Sequence, residues 1–169
     1  LSVKVLTLLT CLRFVMFDLP LVNVKGKVSE QEWQTRVELA ACYRLFVIHG
    51  WDDLIHTHVS ARIPGTDHLL INAFGLSFNE ITVSNLVKID IDGNIVDPDT
   101  PFKINPAGFT IHSAVHIARH ADQCALHVHT NETIAVASVE EGLLPLSQYS
   151  MFALASMSYH DYEGLAVND

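Results

Sequence analysis

Positive charge is scarce in this 169-residue chain: ten Lys and Arg stand against nineteen Asp and Glu, a formal charge of −9. A field of that sign repels nucleic-acid phosphates and anionic lipid headgroups, so neither a nucleic acid nor a membrane is an expected partner. Cysteine is scarce too. Cys11, Cys42 and Cys124 are too scattered for a disulfide framework and form no CxxC pair, which points to reduced thiols in a cytoplasmic protein. Eight Gly and six Pro are too few for a collagen-like or low-complexity chain. No uninterrupted apolar run reaches the roughly 20 residues of a membrane span. Residues 5–12 are apolar and come after Lys4, but Arg13, Asp18 and Pro20 break the pattern beyond them and no small-residue cleavage site is evident. That stretch reads poorly as a signal peptide and better as an N-terminal element packed on the domain. Also missing are GxGxxG, GxxxxGK[ST] and GxSxG, so nucleotide binding and acyl-enzyme hydrolysis have no support.

What is present is enough for one core. Apolar residues make up 49% of the chain, and its length suits a single domain. Ser29 and Glu32 have the spacing of a capping box. Trp33, Val37, Ala41, Leu45 and Ile48 then recur at helical spacing until Gly50 supplies a stop. Residues 57–63 and 69–74 read as a hairpin around Pro64, Gly65 and Asp67, and 86–91 with 95–96 as a second around Asp92-Gly93-Asn94. Pro106 opens another helix, with Ile111, Ala114, Val115 and Ala118 as its apolar stripe through to about His120. Residues 124–129 read as a buried strand, 132–140 as a third helix, and 159–161 as the start of a further strand. Strands mixed with helices in one domain predict a layered α/β or α+β architecture.

Histidines carry most of the candidate chemistry. His127 and His129 are two apart on an extended run, so both rings leave the same face and can reach one metal ion or be hydrogen-bonded core groups. His112 and His116 share a helix face, but Ser113 stands where an HExxH motif needs Glu; they read as helix-surface or interface histidines, with His120 continuing the row. His56 and His58 form a second HxH, read as a polar strand end, with Asp52 and Asp53 as nearby oxygen donors. Asp161 and Glu163 have the chemistry for acid/base work or for capping a turn.

The order of short motifs is more informative than any one of them. Gly50-Trp51, His58-Val59-Ser60-Ala61-Arg62, Phe74-Gly75-Leu76, Asn105-Pro106-Ala107-Gly108-Phe109, His127-Val128-His129-Thr130, Gly142-Leu143-Leu144-Pro145 and Tyr159-His160-Asp161-Tyr162-Glu163-Gly164 succeed one another along the chain. That series resembles the class II aldolase/adducin family, nearer its adducin-head branch, over about residues 30–169. The resemblance implies a three-layer α-β-α domain (class α/β) around a mostly antiparallel sheet, over residues 29–169 and incomplete at its C-terminus. Residues 1–28 stay unassigned. It implies zinc on His127 and His129, a small-molecule substrate of the hydroxy-carbonyl type cleaved by a retro-aldol reaction, and a homo-oligomer. His58, Ser60 and Arg62 fall at substrate-binding positions, with His58 where the aldolases commonly place Asn. Gly108 falls where the aldolases carry a glutamate acid/base, and no Asp or Glu occurs between Lys103 and Ala121, so no catalytic residue is assigned. The family's third histidine ligand lies beyond this segment; His160 and His58 are the substitutes within the chain. A non-catalytic oligomerisation module of the adducin-head kind, associated with the cytoskeleton, is the alternative.

Overall fold

A computed structural model describes residues 20, 22–121, 123–161 and 164. Cys11 and the expected element formed by residues 5–12 lie outside these. The first helix, α1 (Glu30–His49), begins where the sequence predicts: the Ser29 hydroxyl accepts the Glu32 N–H at 3.1 Å. The capping box is only half used, because the Glu32 carboxylate turns inward to Arg36 and Lys88. Gly50 ends the helix in the left-handed region, φ 66°, where an L side chain is strained.

The expected apolar stripe of α1 faces the wrong way. Leu45 and Ile48 are 53% and 75% exposed, while Glu32, Arg36, Leu39, Ala40, Tyr43 and Phe46 are buried. Apolar residues surround this helix, so periodicity alone cannot choose a face. The buried ion pair decides: Glu32 meets Arg36 at 2.9 Å and Lys88 at 2.9 Å, tying α1 to the sheet.

The sheet has four strands, β1 (His58–Arg62), β2 (Leu69–Ile71), β3 (Val87–Ile89) and β4 (Cys124–His127), in the order β3-β2-β1-β4 and antiparallel throughout. The first hairpin holds its expected register, Ser60 opposite Ile71. The second survives in shortened form, with Val96 N–H on the Lys88 carbonyl at 2.9 Å. A single 3₁₀ turn, Phe78–Glu80, separates β2 from β3.

Alternation along β1 sorts the layers. Val59 and Ala61 face α1, packing with Leu39, Tyr43, Phe46, Leu70, Phe78 and Ile81. Ser60 and Arg62 face the second helix, α2 (Pro106–Ala118), which caps on Asn105. Leu69, Ile71, Val87, Ile89 and Phe102 make the core on that side. The result is helix, antiparallel sheet, helix, as expected. Two short helices, α3 (Asn131–Ala137) and α4 (Gln148–Leu154), come after β4 and bury no residue. Two expectations are corrected here, and one helix was not foreseen. β4 is not buried but alternates exposed and half-buried; residues 159–161 are not a strand; and α4 was not expected from the sequence, although its Ser147 cap and Ser150 are a local signal for it.

Candidate functional site

β1 and β4 pair so that His58 lies directly opposite His127. Both point to the α2 side, because residues facing each other across an antiparallel pair share a face. His129 stands just past the strand, and its Nε2 lies 3.1 Å from Nε2 of His127. The Asp53 carboxylate, in the loop before β1, sits 2.8 Å from Nδ1 of His129. That bond puts the His129 proton on Nδ1 and leaves Nε2 with a free lone pair. His127 then supplies the proton between the two rings, and its own Nδ1, buried, finds no hydrogen-bond partner. Burial and the neighbouring His129 hold His127 below the ordinary imidazole pKa.

Two lone pairs on one tetrahedral zinc, with Zn–N near 2.0–2.1 Å, stand about 3.3–3.4 Å apart. The His127–His129 separation is close to that, so one tautomer change at His127 turns an imidazole–imidazole hydrogen bond into a pair of metal donors. A carboxylate behind a ligating histidine is the usual supporting arrangement. The donor set therefore fits a divalent ion of the zinc type, although among the described residues no group of three or more His, Cys, Asp or Glu side chains is gathered to hold one.

Behind this pair the α2 face is polar, contrary to expectation. Ile111 and Val115 are exposed, and the histidines read as helix-surface or interface groups are buried: His112 is 2% and His116 0% exposed. What turns the helix is Ser60. Its hydroxyl lies 2.6 Å from Nδ1 of His112 and 2.9 Å from Nε2 of His116. One hydroxyl carries one proton, so it donates to one ring and accepts from the other. The Arg62 guanidinium donates to the His116 carbonyl at 2.8 Å. The signal for this arrangement, an i,i+4 histidine pair and a strand serine, is present in the sequence, but nothing local shows that the two elements meet.

His58 links the two halves. Its ring is 4.8 Å, edge to face, from His127 and 4.7 Å from His112. Burial first, then His127 and His129, pushes its pKa down to about 4, so it is neutral at pH 7. Of the candidate substrate-binding residues, Ser60 and Arg62 are thus buried and engaged with α2, while His58 lies beside His127. His56 is exposed. Asp161 and His160 are exposed, and Glu163 lies outside the described residues. Cys42 and Cys124 are free thiols, their pKa values raised by burial.

Known proteins share this architecture. A family model described as the Class II Aldolase and Adducin N-terminal domain matches residues 37–168. The solved structure of an aldolase II superfamily protein from Pseudomonas syringae superposes with a TM-score of 0.82 at 56% identity, covering 86% of this chain and 58% of that one. An L-fuculose 1-phosphate aldolase from Glaciozyma antarctica gives 0.68 at 29% identity, covering 80% and 54%. Alpha-adducin of Mus musculus is 43% identical over 156 residues, 89% of this chain and 21% of the adducin. The chain spans 58% and 56% of two curated bacterial relatives that it matches at 58% and 61% identity. Among the described residues no helix is long and apolar enough to cross a membrane. With its helix–sheet–helix layers and its paired strand histidines, this chain belongs to the class II aldolase/adducin family.

Proposed function

We propose that this domain is the core of a zinc-dependent aldehyde-lyase that cleaves a carbon–carbon bond of a small hydroxy-carbonyl substrate, working in the cytoplasm as a homo-oligomer. The observation that supports it is the approach of two histidine Nε2 atoms to 3.1 Å with Asp53 fixing one of them. A divalent cation supplies Lewis acidity, offsetting negative charge that develops on a carbonyl oxygen. The chain's own residues do the rest. His127 and His129 hold the ion, and Asp53 sets the tautomer of His129. Pairing of β1 with β4 fixes the spacing of the rings. Ser60, its hydroxyl between His112 and His116, closes the wall behind them.

Metal analysis of the purified protein tests the reading. About one equivalent of a divalent ion is expected, lost in His127→Ala and in His129→Ala, with melting temperature rising on zinc addition only in the parent protein. An unchanged melting point and no bound metal in the parent overturn it. A second reading, a non-catalytic oligomerisation module of the adducin-head kind, is favoured by Gly108: the helix facing the site carries no carboxylate from residue 103 to 121.

A further inference from the structure

We propose that Cys42 and Cys124 form an oxidisable thiol pair, a modification site at which a peroxide-class oxidant joins α1 to β4 through a disulfide. The pair lies on the sheet face opposite the histidines and is independent of the proposed reaction. Two elements bring the thiols together. Cys124 opens β4 and stands opposite Ala61 in the strand register, so the two side chains share a face. That face meets α1, where Ala61 and Cys42 pack against one apolar cluster. On α1, Thr35, Glu38 and Cys42 recur at three- and four-residue spacing and form a flank beside the buried row. This flank, with Ala61, Gln123 and Cys124 across from it, lines a cavity of about 270 Å³.

The two thiols are near one another and unbonded. Both are free, Cys42 half-buried and Cys124 exposed at the start of its strand, within reach of a small oxidant. Burial first, then the charge of Cys42, raises the Cys124 thiol, which places the two sulfurs within electrostatic range. A disulfide holds its sulfurs about 2.0 Å apart, so closing the bond narrows the cavity between α1 and β4. β4 is the element free to give way, because among the described residues it ends the sheet and alternates exposed and half-buried. Oxidation takes two steps. One thiol, as its thiolate, attacks a peroxide oxygen; the O–O bond breaks, a sulfenic acid forms and one water leaves. The second thiol attacks that sulfur; the S–S bond forms, the S–O bond breaks and a second water leaves. Two electrons pass from the thiols to the peroxide, and both thiol protons end in the waters.

Stoichiometric hydrogen peroxide, followed by alkylation of the remaining thiols and peptide mapping without reductant, tests the pair. Of the three cysteines, two are expected to be lost in a Cys42–Cys124 linked peptide while Cys11 is still alkylated, and dithiothreitol should restore all three thiols. Cys11→Ser should form the same link, and Cys42→Ser and Cys124→Ser should not. In urea, where the fold no longer holds the two thiols together, the same dose should give mixed pairings. Links to Cys11, links between two chains, or sulfinic acid at both positions without a link overturn the inference. So does a folded chain whose pairings match those made in urea, or one whose Cys42 and Cys124 stay alkylatable after excess peroxide.

Discussion

Ser60 and His112 show how single side chains make this interior sensitive to acid. Burial, followed by the neighbouring imidazoles His58, His116 and His127, pushes His112 from 6.5 down to about 3. In the unfolded chain the same ring takes its proton near 6.5, so below that pH the unfolded state binds more protons than the folded one. Stability therefore stays level above about pH 6.5 and falls as the pH drops toward 3. Chemical denaturation of metal-free protein from about pH 7.5 to about pH 4 should show this fall, and His112→Gln should make the slope shallower. An identical slope in the variant would rule out His112 as a source. None of this was legible in residue types: an i,i+4 histidine pair looks the same on a surface as under a sheet, and only the position of Ser60 on β1 distinguishes them.

At the scale of elements, α1 is held by charge as well as by apolar contact. Glu32 is 4% and Arg36 1% exposed; their ion pair extends to Lys88 on β3, and Arg36 also donates to the Leu86 carbonyl at 2.8 Å. Removing one partner of a buried network leaves the others desolvated, at a cost of about 3–5 kcal/mol. Glu32→Ala is expected to lose stability in that range by urea unfolding, whereas Glu38→Ala, on the exposed side, should lose little. Equal effects would mean that the network adds nothing beyond helix propensity. Element existence was readable for α1, α2 and the first hairpin because caps, Pro106, Gly50 and turn residues are local chemistry. Element orientation was not: α1 buries Glu32 and Arg36 alongside its apolar residues, and α2 buries His112, Ser113 and His116, choices that only their partners on the sheet make favourable.

Over the whole molecule, exposed apolar side chains collect in and after β4: Leu126, Ile134, Tyr149, Met151 and Phe152 are each about half or more exposed. Surfaces of this kind mark contacts with further protein. Self-association at micromolar concentration is expected in sedimentation velocity, weakened by Phe152→Lys; a monomer across that range removes the basis for the oligomerisation-module reading. The sequence by itself determined the family, the layered α/β class, the caps and turns, and the HxH pair, because these are written in short spacings and in the order of local motifs. Tertiary structure alone decided which face each helix buries, that Asp53 stands behind His129, and that Ser60 bridges His112 and His116. Those are meetings between residues far apart in the chain, or across a strand register, and their energies come from exclusion of water and hydrogen-bond satisfaction at contact, which no local pattern encodes.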